Sequence, residues 1–258
     1  MRSRDRFERA PWGVRVHARG RPRTRLLWLY HAGGTASAVA SGIPDWPEDW
    51  EILIPDYPGR GVHSAIGTLP TIEAIADHVT VTLSSLSADV PVVVFGHSMG
   101  GLVGCELLSR APAATTRAVA AFVVSAVRAP TWFAADRHRA HASDDEIISR
   151  MLAIGGTPRE VLDDPTVREF ILSNLRDDLR TIDRYVHDDA RVLDIPIVAF
   201  GGARDPIAAG DDLRAWRRAT RGTFDYREFA GGHFYHLEDP TMFVDALREA
   251  TEAILGYC

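Results

Sequence analysis

Pro91-Val-Val-Val-Phe-Gly96-His-Ser98-Met-Gly-Gly101 decides how this chain folds. The apolar run after Pro91 predicts a strand buried on both faces, and the serine stands where that strand turns into a helix running to about Arg110. Gly96-His97-Ser98-Met99-Gly100 fits the pattern G-x-S-x-G, and strand, turn and helix are the setting that this pattern requires. The glycines answer a steric need. A serine on so sharp a turn takes a strained backbone, and residues without a Cβ let neighbouring chain pass close to it. A helix beginning there also aims unpaired N–H groups and its positive dipole end at the place where an oxyanion would form.

On either side the pattern repeats. Arg25-Leu-Leu-Trp-Leu-Tyr30 and Trp50-Glu-Ile-Leu-Ile-Pro55 read as buried strands, leading into His31-Ala-Gly-Gly34 and towards Pro58-Gly-Arg-Gly61. Residues 118–125, 195–201 and 223–229 read as further strands. Helices are predicted at 71–86, capped by Thr71, and at 211–220 and 240–255. Strands alternating with helices predict a mostly parallel central sheet covered on both sides. Between Ser125 and Ile195 the alternation lapses. Residues 144–154 and 165–186 carry helical periodicity instead, with Asp164 a candidate cap and Pro165 in the first turn, so about 128–192 reads as a helical insertion in one domain spanning 1–258.

A serine hydroxyl attacks only when a base takes its proton, which calls for an acid and a histidine later in the chain. Asp205 lies in the turn Gly201-Gly-Ala-Arg-Asp-Pro206, and His233 in Ala230-Gly-Gly-His-Phe-Tyr235. Each follows a predicted strand, so both emerge at the carboxyl edge of the sheet, where sites in open parallel sheets lie. The competitors fit less well: His236 starts the segment leading to the last helix, Asp194 precedes its strand, and Asp211 and Asp212 suit a helix first turn. His97, next to Ser98 on a tight turn, reads as a loop-orienting residue, and His31 as shaping its own loop. The oxyanion donors are expected to be the backbone N–H groups of Ala32 and Met99. Together these features predict an α/β-hydrolase fold performing acyl transfer on Ser98, with His233 as base and Asp205 orienting it. The sequence holds no metal cluster, phosphate loop or dinucleotide fingerprint, so neither cofactor nor metal is expected.

The 258 residues are 46% hydrophobic and 25% charged, which excludes disorder, and a net charge of −6 argues against nucleic acid as a partner. Arginines at 2, 4, 6, 9, 15, 19, 21, 23 and 25 read as a solvated arm leading into an edge strand. Cys105 and Cys258 are not expected to form a structural disulfide. With no apolar run of membrane-spanning length and no signal-peptide pattern, the expectation is a cytoplasmic monomer without membrane contact.

Six stretches, in this order, carry a resemblance: Tyr30-His-Ala-Gly-Gly34, Tyr57-Pro-Gly-Arg-Gly61, Phe95-Gly-His-Ser-Met-Gly-Gly101, Leu175-Arg-Asp-Asp-Leu179 with Tyr185, Phe200-Gly-Gly-Ala-Arg-Asp-Pro206 and Gly231-Gly-His-Phe-Tyr235. Together they resemble the type II thioesterases that accompany modular polyketide and nonribosomal peptide synthases. The resemblance implies a discrete enzyme that hydrolyses acyl thioesters on the phosphopantetheine arm of acyl or peptidyl carrier proteins, removing stalled or misprimed groups. It implies too that the insertion forms a lid over an acyl pocket, with Arg176 and Asp178 in its characteristic segment, first as lid structure. Two departures stand out: Gly61-Val-His-Ser64 replaces a usual glutamine-rich stretch, and Ala203 stands where a polar residue is common. Two other readings keep the carrier protein: a product-releasing thioesterase or cyclase for one elaborated chain, and a noncatalytic carrier-binding module. A generic esterase acting on free oxyesters fits the resemblance less well.

Overall fold

The computed structural model describes residues 6–42, 46–130, 141–188 and 191–256; Arg2, Arg4, Cys258 and residues 131–140 and 189–190 of the expected insertion lie outside them. Strands β1 (Phe7–Ala10) and β2 (Gly13–Val16) form an antiparallel hairpin. Then come β3 (Thr24–Leu29), α1 (Ala36–Gly42), β4 (Trp50–Pro55), α2 (Ile72–Ser84), β5 (Val92–His97), α3 (Met99–Arg110), α4 (Ala113–Thr116) and β6 (Val119–Ser125). The interval predicted as an insertion contributes α5 (Asp144–Ile154) and α6 (Pro165–Arg184). After it follow β7 (Ile197–Gly202), α7 (Gly210–Arg214), β8 (Phe224–Phe229), α8 (Tyr235–Glu238) and α9 (Pro240–Leu255).

The strands join in one sheet in the order β1-β2-β4-β3-β5-β6-β7-β8. β2 runs antiparallel to β4, and every pairing from β4 through β8 is parallel, as an α/β-hydrolase fold requires. All six residues of β5 are buried. Phe95 on β5 is registered with Val123 and Val94 with Phe122, so the Phe95 and Phe122 rings point to opposite faces. Phe95 packs 4.1 Å from Trp28 and 5.4 Å from Phe243 of α9, while Phe122 packs 5.9 Å from Trp216. Apolar cover on both faces is therefore built from aromatic side chains carried by neighbouring strands.

The predicted caps hold. Thr71 accepts from the Ala74 N–H at the start of α2, and Asp164 accepts from the N–H groups of Thr166 and Val167 at the start of α6. The helix predicted over 211–220 divides into α7 and a 3-10 turn over Ala215–Ala219. β8 departs from the doubly buried pattern: as the sheet's edge it leaves Asp225, Arg227 and Glu228 partly in solvent.

The basic front leads into the edge strand β1, and Arg9, Arg19, Arg21 and Arg23 are exposed as expected, but Arg6 and Arg25 are not solvated. Arg6 is buried, and its guanidinium donates to the carbonyls of His17, Trp46, Pro47 and Trp50. Arg9 pairs with Asp56 at 3.0 Å and Arg25 with Glu51 at 2.8 Å. Arg6 and Arg9 fasten the first hairpin to the β4 side of the sheet, and Arg25 ties β3 to β4. Replacing Arg6 by Met should cost about 2–4 kcal/mol, because it leaves buried carbonyls without their charged donor. Urea unfolding of Arg6→Met checks this, and a loss below about 0.5 kcal/mol would contradict it.

Candidate active site

Ser98 joins β5 to α3 with φ 54° and ψ −122°, a left-handed backbone that a serine adopts only under constraint. A Cβ on Gly96 would lie 2.5 Å from the Gly100 carbonyl oxygen, and one on Gly100 would lie 2.1 Å from the Leu29 carbonyl oxygen. Those clashes are why glycine stands at both positions. The second contact presses the start of α3 against the end of β3, which brings Met99 beside the His31–Gly34 loop. The Ser98 N–H is taken by the Ser125 carbonyl at 2.8 Å, fixing the turn to β6.

Asp205 and His233 meet. His233 Nδ1 lies 2.9 Å from Asp205 Oδ2, both side chains are buried, and Asp205 Oδ1 accepts from the Ile207 N–H at 2.8 Å. Backbone bonds hold the two loops together: Ala203 N–H to Phe229 O and Arg204 N–H to Gly231 O, each 2.8 Å. With Nδ1 engaged by a carboxylate, the imidazole leaves Nε2 for another partner.

The competing residues have other work. His97 Nδ1 lies 2.9 Å from Ser125 Oγ, which lies 2.7 Å from the Tyr235 hydroxyl, a buried chain that orients the turn. His236 packs against His97 at 4.4 Å and Trp28 at 5.8 Å, away from any acid in reach of Ser98. Asp194 pairs at the sheet's other edge with Arg221, Asp211 with Arg214, and Asp212 accepts from the Ala209 N–H. Burial pushes the Cys105 thiol up to about 12, with Glu106 adding to it, so this free cysteine stays protonated.

One cavity of about 560 Å³ gathers Ser98, Met99, Ala32 and His233 on its wall, with Asp205 behind the histidine. The wall supplied by α5 and α6 is mostly apolar, through Ile147, Met151, Leu175, Leu179 and Ile182, with Arg150 of α5 beside them. Among the described residues no group of His, Cys, Asp and Glu is placed to hold a metal ion, and no helix is long and apolar enough to cross a membrane.

Sequence reasoning missed one buried ion pair beside this cavity. Arg60, from the Pro58-Gly-Arg-Gly61 turn, places Nη2 2.6 Å from Asp178 Oδ1 and Nη1 2.9 Å from Asp178 Oδ2. Asp178 Oδ2 also accepts from the Gly33 N–H at 2.7 Å, and Arg60 Nη1 donates to the Gly34 carbonyl at 3.0 Å. Burial works against both charges and raises the Asp178 carboxyl, yet the Asp178 charge and hydrogen bonds hold the Arg60 guanidinium above its ordinary value. The forked contact favours the ionised pair. An acid at 178 on the apolar stripe of Leu175, Leu179 and Ile182 was the available signal. Arg176 has a different role: it bonds the Ala142 carbonyl and pairs with Asp144, tying α6 to the start of α5.

The thioesterase domain family matches residues 24–254. The chain is 31% identical over 224 residues to thioesterase PikA5 of Streptomyces venezuelae, covering 87% of this chain and 79% of that one. It is 33% identical over 211 residues to thioesterase TesA of Mycobacterium marinum, covering 81% and 84%. The solved structure of the type II thioesterase BorB, from the borrelidin biosynthetic cluster, superposes with a TM-score of 0.80 at 30% identity, covering 94% of this chain and 98% of that one.

Around His233 stand three imidazoles that stay neutral. Burial, helped by His233 and Arg60, pushes His31 down to about 3, and burial with neighbouring histidines holds His97 and His236 well below the usual range. Below about pH 6.5 the unfolded chain binds protons that the folded one refuses, so stability is full above that pH and falls as acid is added, towards pH 3 for His31. Each histidine contributes a slope of about 1.4 kcal/mol per pH unit within that window. Urea unfolding between pH 7 and 5 should show this decline, and His97→Asn should remove about one proton's share of it. An unchanged slope in the variant would mean that His97 is not held neutral.

Proposed function

Since the chain belongs to the thioesterase domain family, we propose that it hydrolyses acyl groups from the phosphopantetheine arm of carrier proteins in a polyketide or nonribosomal peptide synthase, acting in trans to remove stalled or misprimed chains. The observation that carries this reading is the meeting of the strained Ser98 turn and the Asp205–His233 pair at one cavity whose wall from α5 and α6 is mostly apolar. In this reading His233 Nε2 takes the Ser98 proton as Oγ attacks the thioester carbonyl, and Asp205 holds the imidazolium. The Ala32 and Met99 N–H groups face the developing oxyanion, each contributing a few kcal/mol. Collapse of the intermediate expels the pantetheine thiolate, which takes the proton from His233. Water, deprotonated by the same imidazole, then attacks the acyl-serine and releases the carboxylic acid and a free Ser98.

The helices α5 and α6 act as the lid. A wall of Ile, Leu and Met gains about 0.8 kcal/mol for each methylene buried and discriminates a single methylene by only about 1–3 kcal/mol. Broad acyl selectivity follows, which suits editing more than release of one product. The reading calls for no cofactor or metal and for a monomer in the cytoplasm. The carrier protein must be met elsewhere than on Arg6, Arg9 and Arg25, which are committed to this chain's own acids and carbonyls.

Hydrolysis rates for several acyl groups, loaded on a holo carrier protein and on free pantetheine, test the proposal. Wild type should cleave several short acyl groups, faster on the carrier, and Ser98→Ala should lower the rate by a factor on the order of 10⁴ or more. Comparable activity in Ser98→Ala would remove the serine mechanism. Cleavage of one elaborated chain only would favour product release over editing, and cleavage of free oxyesters without response to the carrier would overturn the substrate assignment.

A further inference from the structure

We infer that Asp178, through its contacts with Gly33 and Arg60, is the positioning residue that sets the oxyanion loop, so that the helix roofing the acyl cavity is also part of the catalytic scaffold. The inference rests on the proposed roles of Ser98 and the Ala32 N–H. Three bonds hold the His31–Gly34 segment: its own turn, Gly34 N–H to His31 O at 3.1 Å; the Gly33 N–H to Asp178; and the Gly34 carbonyl to Arg60. The peptide plane joining Ala32 to Gly33 is rigid, so capturing the Gly33 N–H fixes the orientation of the Ala32 carbonyl with it. The Ala32 N–H is then separated from a fixed plane by a single residue's soft dihedrals. Gly33 holds φ at 77°, a region with few competitors for glycine's freedom, and unpinned it has many conformations to explore.

Asp178 reaches the loop because α6 lies directly on it. A Cβ on Gly33 would fall 3.3 Å from Leu175 Cβ, one turn before Asp178. Beyond Asp178 the same helix is fastened to the body: Thr181 Oγ1 donates to the Leu69 carbonyl at 3.3 Å, and the Tyr185 hydroxyl donates to Glu106 at 3.0 Å. Among the described residues, no side chain in the first half of α6 makes such a tie, and Phe170 is exposed. Asp178 therefore sits in the anchored half, where its grip on the loop does not depend on contacts of the first half.

A purely structural ion pair would affect folding and leave catalysis per folded molecule alone. The test is kinetic, on the full chain, with Asp178→Asn, the double variant Arg60→Met/Asp178→Leu, and Asp177→Asn as a neighbouring control. Replacing a buried pair by apolar groups of similar volume often preserves stability, so the double variant keeps the question answerable if the single one is unstable. For an acyl-pantetheine thioester, kcat per folded molecule should fall about 10- to 100-fold in both altered proteins with KM within about threefold, and Asp177→Asn should match wild type. Affinity for an acyl trifluoromethyl ketone, which Ser98 Oγ converts to a tetrahedral oxyanion, should fall in step with kcat. Affinity for an S-alkyl pantetheine thioether, which has no carbonyl, should not change.

Wild-type kcat in folded Asp178→Asn and in the double variant would overturn the inference, as would equal weakening of ketone and thioether. Those failures are distinct from failure of the underlying reading, which would show first as wild type no more active than Ser98→Ala.

Discussion

The site depends on a contact between Gly100 and the Leu29 carbonyl that leaves no room for a side chain. Any side chain at 100 would separate α3 from the end of β3, and the loop after β3 would move away from the serine. Because the two elements touch at backbone level, the helix start and the loop are neighbours without help from side chains. The strain at Ser98 is sustained by the same packing: β5 is buried along its whole length and paired on both sides, and the turn is bonded to β6. A left-handed serine persists there because its surroundings admit no relaxed alternative.

From that contact outwards, polar groups in low-dielectric surroundings set the finer geometry. Arg60 and Asp178 bring two charges out of water, which is costly unless every polar atom finds a partner. Here the carboxylate is used three times and the guanidinium also takes a carbonyl, which offsets part of the desolvation while leaving Arg60 Nε without a partner among the described residues, and the loop gains fixed bonds. An apolar pair of the same volume would serve stability as well or better. What it would lose is direction, because hydrogen bonds constrain orientation and apolar contacts do not.

The sheet was legible because its strands are short apolar runs between glycine and proline turns, and the caps Thr71 and Asp164 stood at the helix starts that they announced. Ser98, Asp205 and His233 were legible as candidates because each follows a strand and so must emerge at one edge. The resemblance to type II thioesterases holds across residues 24–254. Arg6 and Arg25 of the basic front were misread because a sequence does not reveal which partners a cation will reach: one is enclosed by carbonyls and the other pairs with Glu51. The pair of Arg60 and Asp178 was missed for a related reason. The two lie 118 positions apart, and only the folded packing of α6 on the loop joins them.

The neutral histidines and the ion pair are two answers to one electrostatic problem. In the proposed cycle His233 holds a proton transiently, and three imidazoles packed around it would oppose that charge if they were charged themselves. Burial keeps His31, His97 and His236 neutral, so they fill space and orient loops without opposing the imidazolium. Arg60 is a cation close enough to act on His31, and its field is met at source by a carboxylate in forked contact. The His31–Gly34 loop is thereby gripped by groups whose net charge is zero. The acid sensitivity expected of the fold and the absence of charge on these neighbouring imidazoles follow from the same exclusion of water.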